Sequence, residues 1–218
     1  MKTLTLARHL ILHPGETLPP YAVLYDYVLA GNGVFIRARR KGVQACVPIA
    51  LCEVRGLPAL EPNVELTLPK VPAGLTQELL EMALAERTAT GRWLEAMYHL
   101  SWSDPGWELV KPAQRQHPDA VEPVGPYAGT SYATYMIEVH SHHTLDCHWF
   151  STMDDTSEGT KFRFFGLLFD LTGRSRLSLR LNVYGYAWDV PASMVFELPD
   201  GLEDGYLADE PLEGEQHG

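Results

Sequence analysis

The sequence predicts an α+β (mixed α/β) chain. Short β-like runs bounded by turn residues recur along most of its length. One helical pattern interrupts them near residue 80, and no internal repeat organises them.

Residues 1–70 read as a β-rich N-terminal region. Tyr21–Leu29 is apolar and aromatic, Gly31-Asn32-Gly33 supplies a turn, and Val34–Arg39 partly alternates as a strand. Val43–Ala50 and Leu51–Leu57 are expected to follow as extended segments, with Pro48 marking an edge or a bulge. Prolines at 58, 62, 69 and 72 place a boundary near residue 70. Leu75–Thr88 carries the clearest helical pattern, with Leu79, Leu80, Ala83 and Leu84 on one face. Thr76 is the expected cap, Glu78 and Glu81 complement the positive end, and Gly91 is the expected stop. Trp93–Trp102 and Trp107–Gln114 then form a hairpin around Ser103-Asp104-Pro105-Gly106. Residues 115–130 read as a long loop and Ser131–Val139 as a strand. Phe162–Leu171 and Arg176–Tyr186 read as neighbouring strands joined at Thr172-Gly173-Arg174, and Ala187–Leu198 adds one more. The expected organisation is a β-rich region over 1–70, a second domain over 71–199 and a flexible acidic tail over 200–218.

Composition excludes several function classes. The net charge is -11, but seven acidic residues fall in 200–218, so the rest of the chain stands near -4 and no nucleic-acid partner is expected. The basic cluster Arg37, Arg39, Arg40 and Lys41 reads as a solvated strand end. The longest apolar runs, such as Phe164–Phe169, are too short to span a bilayer, and the first residues lack the pattern of a secretory signal, so no membrane role is expected. Cys46, Cys52 and Cys147 are odd in number and lack framework spacing, which suits a reducing cytoplasm.

The chemistry concentrates in one stretch. Four of the nine histidines lie between 140 and 148, and Asp154 and Asp155 follow. On an extended segment His140 and His142 point to the same side, so both can reach one metal ion. Asp154 adds a carboxylate, and the three donors suit zinc with one position left open. Ser151 precedes Asp154 by one helical turn and can donate to a developing oxyanion. A general base must come from elsewhere. Glu138 shares the strand of the histidines, and Glu95 opens the strand that follows the helix; Glu95 is the better placed. His143 and His148 read as supporting or solvent-facing groups, Cys147 as an ordinary thiol, and Asp155 as a helix cap. The tryptophans (Trp93, Trp102, Trp107, Trp149, Trp188) read first as core or loop anchors, with lining of a substrate groove as the alternative for Trp149 and Phe150 beside the site. Metallo-β-lactamase and cupin spacings fit this stretch worse.

A helix, a Glu at the start of a hairpin strand, His-Ser-His and Ser-x-x-Asp together resemble the JAMM (MPN-type) metalloprotease domain. The resemblance covers about residues 72–190. The wider phrasing at 28–33, 137–143 and 190–199 resembles the PRTRC system protein A family, bacterial JAMM proteins. The resemblance implies a cytidine-deaminase-like three-layer core with the N-terminal region added to it. It implies Zn2+ held by His140, His142 and Asp154, with Glu95 as acid/base and Ser151 assisting the oxyanion. It implies a peptide or ubiquitin-like protein substrate, with an adenylating enzyme and other PRTRC proteins as companions. Two features depart from the family pattern: the spacing from His142 to Ser151 is one residue longer, and His143 stands where a Pro is usual. An alternative reading is a catalytically impaired module of the same fold that binds a ubiquitin-like partner.

Overall fold

The structure, a computed structural model, describes residues 6–143, 150, 159 and 161–206. Strands predominate, with few helices, so the chain is a mixed α+β protein. Two compact units partition it. One comprises Met1–Val71, Phe150–Phe165 and Arg180–Trp188, and the other Pro72–Trp149, Gly166–Leu179 and Asp189–Gly218.

In the first unit, β1 (Ala7–Ile11), β2 (Tyr25–Ala30), β3 (Gly33–Arg40), β4 (Val43–Leu51) and β5 (Asn63–Leu66) form a sheet in sequential order. β1 runs parallel to β2, and the other neighbours are antiparallel. The alternation of β2 buries Asp26, Val28 and Ala30 on one face, where Val28 and Ala30 join Leu12 and Phe35 in a small core. The expected strand over Leu51–Leu57 does not form. After β4 ends, this segment folds back across Gly31, whose added Cβ would lie 2.2 Å from the Leu57 carbonyl oxygen. Two backbone bonds hold it there, from Gly31 N to Pro58 O at 2.7 Å and from Val54 N to Gly31 O at 2.9 Å. Pro48 sits opposite Phe35 where the β3–β4 register shifts, and β5 pairs with β4 only as far as Cys46, so the missing proline N–H breaks no ladder there.

Asp26 on β2 lies directly across from Arg8 on β1 and Arg37 on β3. Its carboxylate accepts from Arg8 Nε at 2.6 Å and Arg37 Nε at 2.9 Å. Burial would raise the Asp26 pKa, but the Arg8 and Ala22 hydrogen bonds and the charges of Arg37 and Arg8 outweigh it, leaving the group below its ordinary value. The basic cluster is therefore not a free patch. Arg37 is buried, Arg39 lies over the Tyr21 ring, and Arg40 donates to Phe162 O at 2.7 Å.

The second unit opens with α1 (Ala73–Ala85). Three residues of the expected stripe, Leu79, Leu80 and Ala83, are buried together with Thr76, while Leu84 is half-buried. Its ends differ from expectation. Pro72 is the N-cap, and Thr76 lies inside the helix with its hydroxyl bonded back to Pro72 O. The donor at Ala73 N is satisfied by Glu197, 124 residues away. The helix stops at Glu86, and Gly91 instead serves a following turn with φ +82°. β6 (Met97–Ser103) and β7 (Gly106–Val110) form the expected hairpin. The stretch 115–130 is not one loop: β8 (Gln114–Gln116) and β9 (Val121–Pro123) pair within it. α2 (Ser131–Thr134) replaces the start of the next expected strand, and β10 covers Ile137–Ser141.

β11 (Phe162–Phe169), β12 (Arg176–Val183) and β13 (Tyr186–Val190) complete a seven-stranded sheet of order β13-β12-β11-β10-β6-β7, with β14 (Glu203–Asp204) beside β12. Glu203–Asp204 thus continue the sheet beyond Asp200, where the sequence suggested a flexible tail. The part of the tail from residue 207 lies outside the described residues. No helix among the described residues is long and apolar enough to cross a membrane.

Candidate metal centre

β10 is an interior strand between β11 and β6, and all five of its residues are buried. Its antiparallel register with β6 sets Glu138 opposite His99 and His140 opposite Met97. Side chains alternate, so Glu138, His140 and His142 share one face, and cross-strand partners on β6 share it with them. Beyond the last paired residues, Ser141 keeps the two segments together. Ser141 N donates to Ala96 O at 2.9 Å, and Ala96 N donates to Ser141 Oγ at 3.1 Å. This extension brings Glu95 beside His142.

The result is a buried cluster. The His140 and His142 rings lie 5.0 Å apart between centroids. Glu95 Oε1 lies 3.8 Å from His142 Nε2. His140, His142 and Glu95 are 6%, 8% and 9% exposed, so bulk water screens them little. His142 is fixed from the other side by its own N–H, which donates to Leu168 O on β11 at 2.8 Å.

The backbone of Glu95 is braced by the β8 segment. Glu95 N donates to His117 O at 2.9 Å, and Gln116 Nε2 donates to Glu95 O at 3.0 Å. Gln114 acts like a strand partner for Met97, accepting from its N–H at 2.7 Å and donating to its carbonyl at 3.2 Å. His143, expected to be a supporting or solvent-facing group, is buried and holds the residue before Glu95. Its Nε2 donates to Leu94 O at 2.5 Å, and its ring stacks on Trp93 with centroids 4.9 Å apart. The Arg87 guanidinium covers the Trp93 ring at 3.6 Å. Burial holds the His143 pKa below its ordinary value, which agrees with a neutral ring donating to a carbonyl.

Three of the five expected site residues, Glu95, His140 and His142, therefore come together. Ser151 and Asp154 lie outside the described residues, as do Cys147, His148, Trp149 and Asp155. Phe150 is described, and the Arg180 guanidinium lies 3.8 Å over its ring. Among the described residues no group of three His, Cys, Asp or Glu side chains is spaced to hold a metal ion. Two buried imidazoles beside a buried carboxylate are nevertheless the donor types that zinc takes, so this part of the cluster fits the ion by its chemistry. Sequence reasoning missed Ser141, Gln114 and Gln116. The only signal for the glutamines was the period-two spacing of Gln114 and Gln116 in a stretch otherwise rich in turn residues.

No protein-family model matches the chain, and no curated protein matches it.

Proposed function

We propose that the chain is a zinc-dependent metallopeptidase or isopeptidase of the JAMM type, with a JAMM/MPN-like fold. Its substrate is a peptide or isopeptide bond at the tail of a ubiquitin-like protein, met in the cytoplasm beside an adenylating enzyme and other PRTRC proteins. The observation that carries this reading is the buried Glu95 carboxylate 3.8 Å from His142, with the His140 ring alongside.

His140 and His142 would hold the ion, and the sequence spacing assigns the third ligand to Asp154. When bound, zinc supplies Lewis-acid polarisation of a carbonyl and acidifies water at neutral pH. Glu95 takes a proton from the attacking water at a carboxylate oxygen and returns it to the leaving amine. Ser151 is assigned by spacing to donate to the oxyanion. Buried side chains around Glu95 keep bulk water from competing for its proton, and the Ser141–Ala96 bonds keep base and ligands in register.

The test combines metal analysis with Glu95→Gln. The purified chain is expected to hold one zinc equivalent and to cleave a reporter fused after a ubiquitin-like tail. Glu95→Gln should keep the zinc and lose cleavage by about 100-fold or more, within the range general acid–base groups supply. A chain that takes up no stoichiometric metal, or a Glu95→Gln variant as active as the parent, overturns the reading. Zinc bound without any cleavage would favour a binding module instead.

A further inference from the structure

A second polar relay lies farther along β6 and β10. The His99 ring is fully buried, stacked on Tyr135 with centroids 4.2 Å apart and met edge-on by Tyr132 at 4.6 Å. Its two nitrogens have different partners. Nε2 lies 3.2 Å from Glu138 Oε2, and Nδ1 lies 2.8 Å from Ser131 Oγ. A carboxylate only accepts, so Nε2 carries the proton and Nδ1 is left to accept from the Ser131 hydroxyl. The tautomer is thereby set as a general base needs it: lone pair toward the hydroxyl, N–H toward the orienting carboxylate.

Of the three groups, His99 is fully buried and Glu138 nearly so, while Ser131 is half-buried. It lines an open groove of about 510 Å³ whose other walls include Val110, Pro112, Val124, Pro126 and Tyr132. A nucleophile, a base in hydrogen-bond reach and a third group that orients the base form the constellation of covalent acyl transfer, and a mainly apolar groove beside it suits an apolar acyl chain.

We infer that Ser131, His99 and Glu138 form a metal-independent nucleophilic site that hydrolyses esters with short apolar acyl groups. Ser131 Oγ attacks the ester carbonyl and forms the Oγ–C bond, while His99 Nδ1 takes the hydroxyl proton. The bond from carbon to the alkoxy oxygen breaks, and the leaving alcohol receives that proton from His99. Water then attacks the acyl-serine with His99 again as base, which releases the acid and restores Ser131. Ester and water are consumed, and acid and alcohol are formed. Glu138 touches no reacting atom and acts as a positioning residue for His99.

The test uses the full chain with p-nitrophenyl butyrate as substrate and phenylmethanesulfonyl fluoride as covalent probe. In the probe reaction Ser131 Oγ displaces fluoride from sulfur, and the proton leaves with it as hydrogen fluoride. One sulfonyl group is expected on the peptide containing Ser131, with hydrolysis stopped in parallel and both unaffected by 1,10-phenanthroline. Ser131→Ala should lose both with an unchanged circular dichroism spectrum. Glu138→Gln should lower the limiting inactivation rate at least tenfold while leaving the half-saturating probe concentration unchanged. A label absent from that peptide, or hydrolysis that persists in folded Ser131→Ala, overturns the inference. Sensitivity to the chelator would assign the hydrolysis to the metal centre and overturn it as well. Insensitivity keeps the result separate from the fate of the peptidase reading.

Discussion

Replacing Asp26 by Asn tests the charge cluster that ties β1, β2 and β3 together. The substitution keeps the side-chain shape and removes the charge that two arginines face. The Arg8 side chain is 27% exposed and can turn to water, but Arg37 is 6% exposed and cannot. The cost therefore falls mainly on Arg37, and a buried charge left without its partner costs about 3–5 kcal/mol. That is a large share of the roughly 5–15 kcal/mol available to a typical domain. Urea unfolding followed by circular dichroism should show a loss of this size for Asp26→Asn. The double variant Asp26→Leu with Arg37→Met should recover most of it, because no buried charge remains unmatched. The same cluster sets an acid limb. The folded pKa of Asp26 lies below its unfolded value near 3.8, so the unfolded chain binds the proton first as pH falls. The stabilisation is present in full above about pH 4 and is lost as pH falls through the folded pKa. Asp26→Asn should lack that part of the slope. A loss under about 1 kcal/mol, with the acid limb unchanged, would refute the assignment of Asp26 as a buried charged partner.

Two further outcomes follow from particular contacts. His143→Phe keeps a ring on Trp93 but leaves the Leu94 carbonyl without its donor, and should cost about 1–3 kcal/mol in urea unfolding; an unchanged midpoint and slope would show that the bond contributes nothing. Partial burial pushes the Cys46 thiol up to about 11, so peptide mapping after iodoacetamide at pH 8 should find exposed Cys52 alkylated well before half-buried Cys46, and equal rates would contradict that shift.

What was legible in the sequence was local. The hairpin at Ser103-Asp104-Pro105-Gly106 and the turn at Gly31-Asn32-Gly33 declare themselves by residue type, and the stripe of α1 declares itself by period. What escaped was set by partners distant in sequence. β1 is short and finds its place only by parallel pairing with β2. β5 hides among prolines, and Glu203–Asp204 become a strand only because Arg176 and Leu177 at the start of β12 pair with them. The cap of α1 could not be read from its own neighbourhood, because the side chain that accepts from Ala73 N belongs to Glu197.

The candidate site divides along the same line. The common side of His140 and His142 follows from strand period alone. The position of Glu95 beside His142 depends on the β6–β10 register and on Ser141, a residue that reads only as the spacer of His-x-His. One face of this strand pair carries Glu138, His140 and His142, with His99 and Glu95 across from Glu138 and His142. All five are buried. A strand built for stability alone would carry apolar side chains at 138, 140 and 142, as β10 does at Ile137 and Val139, because burying ionisable groups costs more than their pairing returns. The backbone around them is held by partners outside the strand pair: Leu168 for His142, and Gln116 and His117 for Glu95. A face that departs from the apolar rule at every second position, and whose backbone is fixed from both sides, is not explained by packing alone. The two proposed sites lie at the two ends of that face, the metal centre at His140, His142 and Glu95 and the nucleophilic site at Glu138, His99 and Ser131, and the chelator separates them.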